Sequence, residues 1–275
     1  MKSMKPWILL LVGGGILPLN AALVTVTAGS PYTTNFDDFI EGDDPDADPG
    51  TFTESNANSQ SNSSIVQVPG QGLGLRQTSS GISGSVTSNT IAMVNATGLT
   101  GATGNQFSVS TTFVIDSFAA SGVANTSLNA AANSTFGNGY RIVYTIASTT
   151  PSSIGSLTIA ESGTTMTGVT TTGTNFTPAV GAVLTLTLTG IYNSATSVSL
   201  AGYLFDSGGT EIARVTITDT SAQTGNFFGM RTAVNGAGAN ESVTFTNFTL
   251  AVPEPTSVAL TLLSVGTLAF RRKRS

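Results

Sequence analysis

The sequence has no cysteine and no histidine in its 275 residues. Without cysteine, a disulfide framework and thiol chemistry are both excluded, although an exported domain can fold without disulfides when its core is large. Without histidine, the commonest general base and the commonest transition-metal ligand are missing. The abundant serines therefore have no histidine to activate them, and there is no Gly-x-Ser-x-Gly elbow, phosphate-binding loop or dinucleotide-binding fingerprint.

Charge is also scarce, because charged residues make up only 9% of the chain and the net charge is −5. Seven of the 15 acidic residues lie between Asp37 and Asp48, so the rest of the chain is close to neutral. Proteins that bind nucleic acid carry a basic patch or stripe, which this composition does not supply. We therefore expect no nucleic-acid partner.

The N-terminal segment carries two lysines, then an apolar run of 13 residues from Trp7 to Leu19, then the small residues Ala21 and Ala22. This order is that of a secretory signal peptide. The apolar run is short for a bilayer-spanning helix, which needs roughly 20 residues. We predict a cleaved signal peptide over residues 1–22. The alternatives are a retained membrane anchor or a buried helix.

Residues 23–251 show the period-two alternation of strands, with glycine, asparagine and serine between the apolar runs. The stretches Gly139–Ala147 and Val183–Gly190 each place alternate apolar side chains on one face. This pattern favours antiparallel sheets with one buried face. We predict an all-β body, a single antiparallel β-sandwich, with hairpins at Asp206–Thr210 and Glu161–Thr164. Leu128–Ser134 could form one helical turn at most.

The C-terminal segment is a mainly apolar run of 15 residues, Thr256–Phe270, followed by a block of bases. The basic residues are Arg271, Arg272, Lys273 and Arg274. Bases beside an apolar helix stay on the cytoplasmic side, so the pattern predicts a transmembrane helix with its tail inside the cell. The run is at the short end for spanning, but flanking bases can snorkel. The alternative is a buried core helix with a solvated basic tail.

The last 24 residues resemble the PEP-CTERM sorting signal of exported bacterial proteins, in which a short motif, an apolar segment and an Arg-rich end follow in order. The motif residues are Val252, Pro253, Glu254 and Pro255. The resemblance implies export through the secretory translocon and a transient stop in the inner membrane. It also implies cleavage near the motif by an exosortase and delivery to the cell surface or extracellular matrix. Such signals are associated with Gram-negative bacteria that make exopolysaccharide.

The body resembles the concanavalin A-like or laminin G-like jelly roll of lectins and glucanases. The resemblance rests on the order of strands and on aromatic placement, from an early Asn35–Phe39 stretch to a late Phe245 and Phe248. It implies that the last strand returns beside the first, which would bring Phe36 and Phe39 near the two late phenylalanines. A pair of immunoglobulin-like sandwiches and a β-solenoid are the alternatives, and the absence of a fixed repeat period counts against the solenoid.

The acidic stretch Asp37–Gly50 supplies the candidate metal ligands. Asp43, Asp44, Asp46 and Asp48 could contribute oxygen ligands to a calcium ion. The spacing is not that of an EF-hand, because Pro49 stands where glycine is needed and Ser55 where glutamate is needed. The competing interpretation is a solvated acidic loop. We expect no other cofactor.

Two function classes remain. Glycoside hydrolysis needs two carboxylates facing the sugar, but the body has no Glu-x-Asp-x-x-Glu run and its glutamates are scattered. Tyrosines that alternate with aliphatic residues suit a core better than a sugar-stacking platform. We therefore expect a non-enzymatic exported protein of the cell surface or matrix, adhesive or carbohydrate-binding, with extracellular polysaccharide as a partner. A polysaccharide-acting glycoside hydrolase on a jelly roll is the alternative.

Overall fold

The computed structural model describes residues 23–27, 30–45, 52–56, 61–81, 87–119, 122–133, 138–149, 154–167, 170–173, 176–236 and 238–252. The predicted signal peptide, the residues of the sorting segment after Val252 and the basic block lie outside this set. No helix occurs in the described ranges, so none there is long and apolar enough to cross a membrane.

The described chain forms 18 strands. In chain order they are β1 (Leu23–Thr25), β2 (Tyr32–Thr34), β3 (Thr53–Asn56), β4 (Asn62–Val68), β5 (Gly72–Ser80), β6 (Thr87–Thr97), β7 (Gln106–Ala119), β8 (Val123–Ala132), β9 (Tyr140–Ala147), β10 (Leu157–Glu161), β11 (Thr164–Thr165), β12 (Thr170–Gly173), β13 (Val183–Ser194), β14 (Ser197–Phe205), β15 (Glu211–Asp219), β16 (Phe227–Asn235), β17 (Asn240–Phe245) and β18 (Phe248–Ala251).

These strands make two sheets. The first sheet has eight strands in the order β1-β6-β16-β8-β9-β10-β11, with β3 also paired to β6. The second sheet has ten strands in the order β12-β15-β14-β13-β7-β17-β5-β4, with β18 paired to β7 and to β2. The predicted β-sandwich is confirmed. Its pairs are antiparallel except for β1 and β6, which run parallel, so the fully antiparallel expectation is wrong at this one edge.

Alternation along each strand decides what the sandwich buries. In β9, Tyr140, Ile142, Tyr144 and Ile146 are fully buried, and in β13 every second residue from Leu184 to Tyr192 is buried. These side chains join one large cluster between the sheets. Because successive side chains in a strand point to opposite faces, the residues between them must lie on the outer faces.

The last strand returns near the start of the body, but it lies beside β2 and not beside the first strand, β1, which belongs to the other sheet. Strand β18 pairs with β2 in the register Phe248 to Thr34. The ring of Phe52 bridges the two ends, since its centroid lies 6.0 Å from that of Phe248 and 6.1 Å from that of Phe36. Phe245 differs from the expectation, because its ring contact is with Phe113 at 6.2 Å.

Both predicted hairpins are confirmed. Strands β14 and β15 are joined at Asp206, whose Oδ1 accepts hydrogen bonds from the backbone N–H groups of Gly208 and Thr210, each at 2.9 Å. Strands β10 and β11 are joined by Ser162 and Gly163, both at positive φ, which is the backbone of a tight type I′ hairpin turn.

Leu128–Ser134, where one helical turn at most was expected, contains the end of β8 instead. Ala131 adopts a φ of 51°, and the register of β8 against β16 shifts close by, between Phe227 and Gly229. An irregular residue breaks the alternation of a strand. This explains why the sequence pattern is ambiguous here.

Candidate functional site

The outer face of the first sheet holds a depression of about 360 Å³. Its lining comes from five strands, β8, β9, β10, β11 and β16, and from the loops that flank them. The described lining residues are Val123, Asn125, Arg141, Val143, Thr145, Ser148, Thr158, Ala160, Gly163, Thr165, Arg231, Ala233, Val234 and Asn235. None of them is aspartate or glutamate, so the site has cations, amides and hydroxyls but no carboxylate in its lining.

Strand alternation places Arg141 on this face. Its neighbours Tyr140 and Ile142 point into the core and are fully buried, so the side chain between them points outward. Strand β16 repeats the pattern, with Met230 and Thr232 buried in the interior on either side of Arg231.

Sheet register brings the two arginines together. Strand β8 lies between their strands, with Ser127 opposite Arg231 and Asn129 opposite Arg141. Arg141 and Arg231 thus occupy neighbouring rows of the face, on either side of one intervening strand. Their mutual repulsion contributes to lowering the pKa of Arg231.

The two arginines are partly or largely buried and form no ion pair among the described residues. Arg231 is only 9% exposed. Burial first, and then the charge of Arg141, lower the pKa of Arg231 to about 9, and burial also lowers the pKa of Arg141. The ion pairs of the described chain are Arg76 with Asp116 and Arg214 with Glu211. Both arginines of the depression are therefore cations whose charge is desolvated without a direct partner.

Two amide side chains next to the arginines also have unused hydrogen-bonding atoms. Oδ1 of Asn125 and Nδ2 of Asn129 are buried and have no hydrogen-bond partner among the described residues. A buried polar atom without a partner costs about 1–3 kcal/mol. An incoming polar ligand, or ordered water, would remove that cost, and an amide offers both a donor and an acceptor.

Gly163 lies against the guanidinium of Arg141. Gly163 sits in the β10–β11 turn at a φ of 86°, and a Cβ placed there would lie 2.9 Å from a terminal nitrogen of Arg141. A larger residue would be strained in its backbone and would press on the guanidinium. The turn can approach the arginine closely only because it carries glycine here.

A buried carboxyl lies behind the arginine face. Glu241 of β17 is fully buried between the sheets and accepts a hydrogen bond of 2.6 Å from the hydroxyl of Thr126. Burial raises the pKa of Glu241 to about 8, against the opposing effects of Thr126 and of Arg231. Burial thus opposes ionisation of Glu241, and Glu241 forms no ion pair with Arg231 among the described residues.

The residues predicted from sequence lie elsewhere. Asp43 and Asp44 lie in the loop between β2 and β3, with Asp43 half-buried and Asp44 exposed, whereas Asp46 and Asp48 are outside the described residues. No group of three acidic side chains placed to hold a metal occurs in the described part of the chain. Of the sorting motif, Val252 is described, directly after β18 and packed against the main core. Pro253, Glu254 and Pro255 are not described, and neither is the basic block from Arg271 to Arg274.

Sequence reasoning missed Arg141 and Arg231, although a signal was available. Between Lys5 and Arg271 the chain has four basic residues, Arg76, Arg141, Arg214 and Arg231. A cation in the middle of an alternating strand must lie on an outer face, and the two arginines of the depression occur in segments without nearby acids.

No protein-family model and no curated protein matches this sequence. Solved structures match its fold. A protein of unknown function from Shewanella oneidensis MR-1 has 11% identity and a TM-score of 0.52, covering 90% of this chain and 97% of its own. This likeness shows a shared fold and nothing about a ligand.

Lectins and a lyase are among the other structural neighbours. A seed lectin from Lotus tetragonolobus has 11% identity and a TM-score of 0.43, covering 82% of this chain and 100% of its own. A PL-14 alginate lyase from Aplysia kurodai has 10% identity and a TM-score of 0.47, covering 81% and 98%. The neighbours thus include the lectin-type sandwich expected from the sequence. Neither score is high enough to carry an argument about function.

Proposed function

We propose that this chain is a non-enzymatic exported protein of the cell surface or extracellular matrix, and that its sandwich binds a saccharide across the outer face of the first sheet. The observation that carries the proposal is the depression of about 360 Å³ lined by arginines, asparagines and threonines. Sugars offer many hydroxyls, and such a lining can donate to and accept from them. Asn125 lines the depression, and its buried, unsatisfied Oδ1 is a group that a ligand would satisfy.

The distribution of carboxylates supports binding over hydrolysis. Glu161 and Asp219 line another depression, but each is engaged in the fold. Glu161 accepts a hydrogen bond of 2.6 Å from the side chain of Gln223. Asp219 accepts one from the hydroxyl of Tyr140 and one of 2.9 Å from the backbone N–H of Ser221. Neither is an available acid facing a sugar across an open cleft, which a glycosidase needs.

A glycan-binding experiment tests this proposal. The full chain, purified in a non-ionic detergent, is applied to an array of bacterial and algal polysaccharides, with calcium and with a chelator. We expect retention of at least one polysaccharide and no release of reducing ends. Absence of binding to every glycan, or substantial turnover that is lost on Glu→Gln substitution, would overturn the proposal. Dependence on calcium would instead direct attention to Asp43, Asp44, Asp46 and Asp48.

The proposed route to this location uses both ends of the chain. A signal peptide over residues 1–22 engages the secretory translocon, and the segment 252–275 holds the protein in the inner membrane of a Gram-negative bacterium until an exosortase acts near Val252–Pro255. The support is the order of motif, apolar run and basic block in the sequence. Deletion of Pro253–Pro255 should leave the protein in the inner membrane. Release of the deleted form at the normal rate would contradict the sorting proposal.

A further inference from the structure

The arginine pair distinguishes one class of saccharide from another. Arg141 and Arg231 lie in neighbouring rows of one face, line the same depression, and form no ion pair within the described chain. The overall charge of the protein is negative, so the depression is a local positive site on an acidic molecule. A neutral sugar would leave both charges uncompensated.

From this geometry we infer that the ligand of the depression is an acidic saccharide, whose carboxylate or sulfate group is held between Arg141 and Arg231. The inference rests on the proposed saccharide-binding function and names its ligand class. A guanidinium presents a planar fork of donors that matches carboxylate and sulfate oxygens in a bidentate way. Two such forks side by side can take both oxygens of one anion, or one acidic group from each of two successive sugar units.

The neighbouring groups suit the rest of such a ligand. Asn125 lies opposite Thr145 in the sheet and lines the depression with it, so an amide and a hydroxyl adjoin the charged part of the site. The unsatisfied Oδ1 of Asn125 is an acceptor, which a sugar hydroxyl can satisfy and an anion without a hydroxyl, such as sulfate, cannot. The site therefore combines two anion donors with at least one hydroxyl-binding group.

Burial of Arg231 strengthens its attraction for an anionic ligand. An ion pair in a partly buried site is screened less by water and salt than an exposed pair. Because Arg231 is about nine-tenths buried, its attraction for an anion should persist at physiological ionic strength. Binding that depended only on exposed surface charge would be weak in the same buffer.

The test compares acidic and neutral forms of one backbone. The full chain in non-ionic detergent is titrated calorimetrically with tetragalacturonate, with its methyl-esterified form, with a mannuronate tetramer and with a sulfated galactan tetramer. We expect at least one acidic tetramer to bind at least tenfold more tightly than methyl-esterified tetragalacturonate. A preference for uronates or for the sulfated galactan identifies the source of the anion.

Variants connect the preference to the two arginines. Arg141→Gln and Arg231→Gln should each weaken acidic binding at least tenfold, and Arg231→Lys should weaken it less because it retains the charge. Arg214→Gln, at an exposed arginine of the second sheet, is the matched control and should leave the affinity unchanged. Thermal unfolding of Arg141→Gln and Arg231→Gln at or above the wild-type temperature would show that weaker binding is not the result of misfolding.

The failures can be told apart. Equal binding of acidic and methyl-esterified tetramers, or acidic binding that survives both glutamine variants, overturns the inference and leaves saccharide binding in place. Binding to neutral glycans alone would also overturn the inference of an acidic ligand and leave saccharide binding in place. Absence of binding to every acidic and neutral glycan overturns the proposed function together with this inference.

Discussion

The two outer faces of the sandwich differ in how they accommodate arginine. On the second sheet, Nε of Arg76 lies 3.2 Å from Oδ2 of Asp116, and Arg214 lies 2.7 Å from a carboxylate oxygen of Glu211. Arg214 also stacks over the ring of Tyr203, with its guanidinium carbon 5.2 Å from the ring centroid. On the first sheet, Arg141 and Arg231 have no carboxylate partner within the described chain.

The paired arginines are also more exposed to solvent than Arg231 is. The side chain of Arg76 is 42% exposed and that of Arg214 is 47% exposed, so water alone could solvate both of them. Arg231 is far more buried, yet it forms no ion pair within the described chain. An unpaired buried charge destabilises a fold. An unpaired cation in a largely buried position is what we expect of the proposed binding site.

The largest expected effect concerns the buried carboxyl behind the arginine face. The pKa of Glu241 is raised from 4.5 to about 8 by burial, so the folded state keeps a proton that the unfolded chain has released. The contribution of protonated Glu241 to the free energy of unfolding is therefore complete below about pH 4.5, and it is lost as the pH rises to about 8. Across that window the free energy of unfolding should fall by about 1.4 kcal/mol per pH unit from this group.

Glu241→Gln should remove this slope, because an amide does not titrate and can still accept the Thr126 hydroxyl. Chemical denaturation at a series of pH values between 5 and 8 measures the pH dependence of the free energy of unfolding. The exposed Glu211→Gln is the control and should retain the wild-type slope. Equal slopes for wild type and Glu241→Gln would show that Glu241 is ionised in the folded protein and could act as an internal counter-ion to Arg231.

An intermediate effect is expected when a carboxylate is introduced beside the arginines on the outer face of the first sheet. Asn129 lies opposite Arg141 in the register and is 6% exposed. Asn129→Asp, nearly isosteric, should pair with an arginine and raise the stability by on the order of 1 kcal/mol. The same change should weaken binding of an acidic saccharide at least tenfold.

Thermal unfolding and calorimetric titration of one preparation measure both quantities. Asn193→Asp, at an exposed asparagine of β13, is the control for added negative charge and should change neither. A less stable Asn129→Asp variant with undiminished acidic binding would contradict the idea that the arginines lack only a negative charge.

A smaller effect is expected on the second sheet. Oδ2 of Asp116 accepts hydrogen bonds from Nε of Arg76 at 3.2 Å and from the hydroxyl of Thr244 at 2.6 Å. Asp116→Asn should lower the free energy of unfolding by about 0.5 kcal/mol, because an ion pair that is partly solvated contributes little. Binding to any glycan should be unaffected. A fall in affinity would mean that the second sheet also belongs to the site.

Much of this fold follows from the sequence because strand alternation is a local property. The spacing of apolar residues in Gly139–Ala147 and Val183–Gly190 is enough to predict strands β9 and β13 and their buried faces. The hairpin at Asp206 depends on a few adjacent residues and is equally readable. The parallel pairing of β1 with β6 is not, because it joins residues about 70 positions apart.

The candidate site depends on pairing between strands that are far apart in the sequence, which local alternation does not reveal. The alternation of β9 and β16 predicts that Arg141 and Arg231 point outward, but not that β8 alone separates their strands. Only the register, with Asn129 opposite Arg141 and Ser127 opposite Arg231, makes them neighbours. The absence of an acid beside them is likewise a property of the assembled sheet.

The position of β18 has a mechanical consequence. This strand is paired with β2 on one side and with β7 on the other, and the chain beyond it leads directly into the C-terminal segment. A pull on that segment along the strand axis loads both ladders of hydrogen bonds in shear, so they must yield together and not one at a time. A body tethered through its C-terminus would thus resist force at the point of attachment.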